Sequence, residues 1–157
     1  MNHIGRNVAL NYFAYGSNMN PVRMRERGVI FYSRELLILP GYSLKFHKIT
    51  SHSPKTGAAN IIRDEKGVVE GALYKVTLAG ISTLDKYEGH PNEYDRVELS
   101  VPIEDGAVIE IVTYIAHPHR TREGLKPARF YLNHLLSARD ILSEDYYHRL
   151  NILETSD

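Results

Sequence analysis

Turn-forming residues interrupt the first two thirds of this chain at short intervals, and that punctuation limits the folds open to it. Tyr15-Gly16-Ser17-Asn18, Pro40-Gly41, Ser53-Pro54-Lys55-Thr56-Gly57, Asp64 to Gly67 and Glu104-Asp105-Gly106-Ala107 separate short apolar runs. Runs of that length, rich in β-branched and aromatic residues, read as strands. Val8 to Ala14, Val29 to Leu39, Tyr42 to Ile49, Ala58 to Arg63, Val68 to Val76, Tyr94 to Ile103 and Val108 to Ala116 are the candidates. Asp105-Gly106 between two alternating runs predicts a hairpin. Helix signals stand at only a few places. Asn20-Pro21 predicts an N-cap with proline at the first helical position, and a short helix ending near Arg27-Gly28. Thr77 predicts a cap for a helix reaching Tyr87, with Gly89 as its stop and Leu78, Ile81, Leu84 and Tyr87 as its apolar face. Ala128 to Leu142 reads as a third helix. Ser143 caps a fourth to about Leu153, although Ser143-Glu144-Asp145-Tyr146 lacks the Glu or Gln of a full capping box. The expectation is α+β: six or seven strands in a small mixed, barrel-like sheet flanked by α-helices.

With no linker, repeat or low-complexity run, the 157 residues are expected to form one domain, residues 1–157. Nineteen Lys and Arg balance nineteen Asp and Glu, which removes the long-range field of a general nucleic-acid or anionic-membrane binder. No cysteine is present, so thiol nucleophiles, iron–sulfur clusters and cysteine-ligated zinc are excluded. Met1 to Asn11 shows no signal-peptide core, and no apolar run reaches membrane-spanning length. A soluble, cytoplasmic protein with neither nucleic-acid nor membrane partners is expected. Eleven tyrosines against four phenylalanines and no tryptophan suit pockets for polar ligands as well as half-buried walls.

The phosphate-binding glycine motifs and the Gly-x-Ser-x-Gly elbow are missing. His117 and His119 have no third ligand at a recognisable spacing, so no metal is expected. Tyr12-Phe13-Ala14-Tyr15-Gly16-Ser17-Asn18 is a strand running into a turn. Its glycine permits close backbone approach, and its successive amides could hold a carboxylate or a developing oxyanion. Glu88 falls at a helix C-terminus, where the macrodipole disfavours negative charge, so its pKa should be pushed up. A carboxylate of that kind suits proton transfer. Taken one by one, Tyr94, Tyr114 and Tyr131 read as core residues more readily than as catalytic ones.

These segments together resemble the γ-glutamylcyclotransferase-like family, which includes plant avirulence-induced proteins. Tyr12 to Asn18 resembles its Tyr-Gly-Ser-Asn substrate loop, Gly71 to Thr77 its next strand, and Leu84-Asp85-Lys86-Tyr87-Glu88-Gly89 its glutamate segment. Tyr94-Asp95-Arg96, Val112-Thr113-Tyr114 and Lys126 to Leu132 resemble later motifs. The resemblance implies a small barrel with a pocket at one mouth and no cofactor. It assigns Glu88 to general acid–base catalysis, Tyr15, Gly16, Ser17 and Asn18 to substrate binding, and Tyr94, Tyr114 and Tyr131 to the pocket wall. It further implies a small γ-glutamyl substrate whose α-amine attacks its own γ-carbonyl, releasing 5-oxoproline and a free amine or amino acid. A non-catalytic small-molecule-binding module that keeps the same pocket is the alternative.

Overall fold

The computed structural model describes residues 9–157; Val8, at the start of the first expected strand, lies outside them. Strand β1 (Leu10–Ala14) is followed by a 3-10 turn (Ser17–Met19) and helix α1 (Pro21–Glu26). Two long strands come next, β2 (Phe31–Ile49) and β3 (Gly57–Val76), then helix α2 (Leu78–Glu88). The chain continues through β4 (Tyr94–Pro102), β5 (Val108–Ala116), α3 (Arg129–Leu136) and α4 (Glu144–Asn151).

Five strands form one sheet in the order β2-β3-β1-β5-β4, with β1 parallel to β5 and the other pairs antiparallel. The fold class is α+β as expected, but four expected strands are two. Pro40-Gly41 and Asp64 to Gly67 are not chain reversals. They face each other across one ladder, which passes from Pro40↔Val68 to Tyr42↔Arg63 through a bulge. A bulge absorbs residues that would otherwise break the pairing and bends the strands there. The expected barrel is not closed either. The bent β2–β3 hairpin meets the far side through the isolated bridges Lys48↔Thr121 and Thr56↔Lys126 in place of a continuous ladder, and β2 and β4 remain the edges of the sheet.

The central position of β1 explains the consecutive buried residues Tyr12, Phe13 and Ala14. Tyr12 and Ala14 pack under the helices with Met24, Tyr74, Leu84 and Leu132, while Phe13 and Tyr15 face the inside of the curled sheet with Leu37, Ile61 and Ile111. A strand buried on both faces has no polar side to alternate with.

Local signals set the helix ends. Asn20 accepts from the Val22 amide at 3.0 Å with Pro21 next, and Thr77 accepts from the Gly80 amide at 3.1 Å. The α2 face differs from expectation: Ile81 and Leu84 are buried, but Leu78 and Tyr87 are each 54% exposed. At 3.6 residues per turn, three-residue steps drift by about 60° each, so residues nine apart fall on opposite sides. Helix α3 stops at Leu136 and a 3-10 turn with a kink at Ala138 follows, so the single helix expected to Leu142 is divided. At α4 the capping partner missing from the sequence comes from another element. Glu70 of β3 accepts from the Ser143 amide at 2.8 Å and its hydroxyl at 2.6 Å.

Candidate active site

The loop between β1 and α1 is held from several sides. The Tyr74 hydroxyl donates to the Asn18 carbonyl at 2.7 Å, Arg34 donates to that of Met19 at 3.1 Å, and Thr113 ties Phe13 to β5 at 2.8 Å. The turn uses the amides of Met19 and Asn20 on the carbonyls of Gly16 and Ser17. Those of Gly16 and Asn18 find no backbone acceptor among the described residues. Across from the loop, helix α2 is fastened to the sheet by Asp85, which accepts from the Tyr114 hydroxyl at 2.6 Å and pairs with Arg96. One helical turn later, on that fixed helix, stands Glu88.

Loop and glutamate meet directly. The Asn18 side-chain amide donates both to Glu88 Oε1 at 3.1 Å and to the Tyr12 hydroxyl at 2.9 Å. Arg27 donates to Asn18 Oδ1 at 3.1 Å and approaches Glu88 Oε1 to 3.6 Å, while its guanidinium stacks over Tyr87. The Glu88 side chain is 19% exposed and opens onto a cavity of about 520 Å³. Burial raises its pKa; Arg27, Arg23, Lys48 and the Asn18 hydrogen bond pull the other way without cancelling that effect. The expected direction therefore appears with desolvation as its chief cause, in place of the helix dipole.

Tyr15, Gly16, Ser17, Asn18, Tyr94, Tyr114 and Tyr131 all line the same cavity. Their hydroxyls differ in what they have left to offer. Tyr15 donates to the Tyr114 carbonyl, Tyr94 to that of Ala59 at 2.7 Å, and Tyr114 to Asp85. These three are spent inside the protein and act as walls. Tyr131 is different: its oxygen accepts from the Ala59 amide at 3.0 Å, so its own proton can point elsewhere. Burial raises its pKa to about 12, keeping it a neutral donor. Gly16 fits because a Cβ there would lie 2.9 Å from that oxygen. Ser17 is held by Arg23 Nε at 3.0 Å.

Sequence reading missed Tyr12, Arg23, Arg27, Lys48, Glu93 and Arg120, which also line the cavity. Arg23 and Arg27 carried a usable signal, since two arginines one helical turn apart follow the loop directly. Lys48, Glu93 and Arg120 come from three remote segments and carried none. His117 and His119 stack on one another, and the His117 ring bonds the Pro91 carbonyl. Among the described residues no group of three His, Cys, Asp or Glu side chains is placed to hold a metal, and no helix is long and apolar enough to cross a membrane.

The same arrangement of strands and helices recurs in a solved gamma-glutamyl cyclotransferase, with a TM-score of 0.80 at 24% identity over 96% of this chain and 90% of the other. An uncharacterized human protein superposes equally well, at TM-score 0.80, 25% identity and 95% and 90% coverage. The fold is thus that of the gamma-glutamyl cyclotransferases. In sequence, the family described as "Gamma-glutamyl cyclotransferase, AIG2-like" matches residues 12–133. The Bos taurus gamma-glutamylcyclotransferase is 28% identical over 154 residues, covering 93% of this chain and 79% of that protein. The chain belongs to the AIG2-like gamma-glutamyl cyclotransferase family, and its class is that of cyclotransferase enzymes.

Proposed function

We propose that this enzyme converts a γ-glutamyl amide into 5-oxoproline and a free amine, with Glu88 moving the protons and the Tyr15–Asn18 loop holding the reacting carbonyl. The observation that carries this reading is the joint: a carboxylate with a raised pKa bonded through Asn18 to a loop whose Gly16 and Asn18 amides have no backbone acceptor among the described residues. The donor brings its own nucleophile. Glu88 takes a proton from the α-ammonium, and the amine attacks the γ-carbonyl. The oxyanion forms against the amides of Gly16 and Asn18, with the Tyr131 hydroxyl as a further donor. Protonated Glu88 then gives its proton to the leaving nitrogen, and the carbon–nitrogen bond breaks. The second proton still on the ring nitrogen passes by the same carboxylate to the departing amine. Two protons leave one nitrogen and two arrive at the other, so Glu88 ends as it began.

Bending the glutamyl chain until amine and carbonyl meet is the other half of the task, and such orientation contributes as much as about 7–11 kcal/mol. The tyrosine walls supply the shape for it. The test is direct: incubate the protein with a panel of γ-glutamyl amines, amino acids and glutathione, and measure 5-oxoproline. Release from at least one donor, lost in Glu88→Gln, supports the reading. Binding of donors without release would instead favour the non-catalytic module.

A further inference from the structure

His47 lies where the β2–β3 register shifts between Lys45↔Asn60 and Lys48↔Ala58, and its side chain is 12% exposed. Its Nε2 meets Asn60 Nδ2 at 3.0 Å. The other half of that amide is fixed, because Asn60 Oδ1 accepts from the Ala116 backbone amide at 2.8 Å. A backbone N–H can only donate, so the Asn60 oxygen faces β5 and its NH2 faces the histidine. Nε2 therefore accepts, and the arrangement is complete only while the ring is neutral with its proton on Nδ1. That Nδ1 is buried without a hydrogen-bond partner among the described residues, with Glu123 Oε1 3.6 Å away. Glu123 stands on the connection from β5 to α3, which is tied to the same stretch of β2: the Arg122 amide donates to the His47 carbonyl at 2.8 Å, and Thr121 bridges to Lys48.

What Asn60 supports is the cavity wall. Its chain neighbour Ala59 donates its amide to the Tyr131 oxygen at 3.0 Å and accepts from the Tyr94 hydroxyl at 2.7 Å. Asn60 is 2% exposed and ties β3 to the end of β5, so it fixes the peptide on which both tyrosines hang. A proton arriving on Nε2 would meet the NH2 of Asn60. Asn60 must then release the ring, or turn over and set its NH2 against the Ala116 amide. Either way a buried donor loses its acceptor. The charges around the ring do little to offset this. Glu123 is 92% exposed, and an ion pair to so exposed a carboxylate is weak. Lys48 and Arg120 share Glu93, Arg122 donates to the Pro54 carbonyl, and Lys45 on the same strand is exposed.

We propose that His47 is a positioning residue for the pocket: neutral, it holds Asn60 and through it the Ala59 peptide that seats Tyr94 and Tyr131; protonated, it slackens that wall and weakens binding. Acid thus acts on this protein at a second place besides Glu88. The proposal rests on the reading of the cavity as the substrate pocket and adds a control to it.

The test compares about pH 8 with about pH 5.5, an interval in which histidine is the side chain that ordinarily takes a proton. Binding of γ-glutamyl-alanine is read by calorimetry on the Glu88→Gln protein, which removes the titration of the glutamate. Hydrogen exchange of the 58–61 segment, corrected for the intrinsic effect of pH, is read on the protein without ligand. Acid should weaken binding on the order of 10-fold, the loss of about one buried hydrogen bond, and should lower the protection of the segment. His47→Gln, whose side-chain oxygen accepts from Asn60 but takes no proton, should flatten both pH dependences. His47→Leu, with no acceptor, should show the acid behaviour already at pH 8, and the recovery from Leu to Gln identifies the hydrogen bond as the cause. If the Leu variant unfolds, wild type against His47→Gln still decides. Binding and protection equal at the two pH values, or a pH dependence that survives in His47→Gln, overturns the proposal. If γ-glutamyl-alanine does not bind at either pH, the fault lies with the substrate reading, and the exchange of the 58–61 segment alone decides the role of His47.

Discussion

Gly16→Ala probes how closely the substrate loop is built against its neighbours. The added Cβ would stand 2.9 Å from Tyr131 Oη and 3.1 Å from Ala59 Cβ. Neither neighbour is a loose surface chain: Ala59 is a buried residue of β3, and the Tyr131 oxygen is pinned by the Ala59 amide at 3.0 Å. Restoring an ordinary contact moves the hydroxyl by roughly half an ångström and stretches that hydrogen bond to breaking. A buried amide left without its acceptor costs about 1–3 kcal/mol. Replacing glycine by alanine recovers about 0.4–1 kcal/mol through the unfolded chain. Taking the centre of each range, the net loss is about 1.3 kcal/mol, or a fall of roughly 3–5 °C in Tm for a chain of this size. Thermal melting measures it directly. Repeating the substitution in a Tyr131→Phe background isolates the cause, because removing the hydroxyl removes the closer of the two collisions and the penalty should shrink. An unchanged or higher Tm in the wild-type background would refute the close fit. So would an equal penalty in both backgrounds, which would exclude the Tyr131 oxygen as its source.

Glu88→Gln should lower 5-oxoproline turnover by roughly 10³-fold or more while donor binding survives; wild-type turnover would remove Glu88 from the chemistry. The folded-state pKa of Glu88 is raised by burial, so its protonated form is the one the fold favours, and stability from it is lost as pH rises through that pKa. The Gln variant should therefore melt at or above wild type near pH 7, with the difference closing as the pH falls toward about 4, the ordinary carboxylate range. Arg27→Met deletes the first of the charges that hold the Glu88 pKa down, and the acid limb of the kcat/KM profile should move to higher pH; an unmoved limb would show that Arg27 does not act on Glu88. Glu70→Ala strips the acceptor from the Ser143 amide and hydroxyl, which should cost about 1–3 kcal/mol in denaturant unfolding, and a loss below a few tenths would show that α4 is capped by other means.

The sequence by itself determined what depends on residues close together along the chain. Asn20-Pro21, Thr77 and Ser143 start their helices where the side-chain caps require, because a cap bonds an amide two or three positions away. Asp105 and Gly106 both take positive φ, 62° and 74°, and the β4–β5 hairpin turns where that pair allows it. The loop motif and the glutamate segment were legible for the same reason, each being a short contiguous string. Tertiary structure decided everything that needed distant partners. Whether Pro40-Gly41 ends a strand or bulges it depends on Asp64 to Gly67 lying opposite, more than twenty residues on. The Glu88 pKa follows from burial and from Arg27 and Lys48, which only the tertiary fold brings to the same cavity. The group of Lys48, Glu93 and Arg120 has no sequence signature at all, because three charged residues on three segments look like ordinary surface until the curled sheet sets two cations on one carboxylate oxygen.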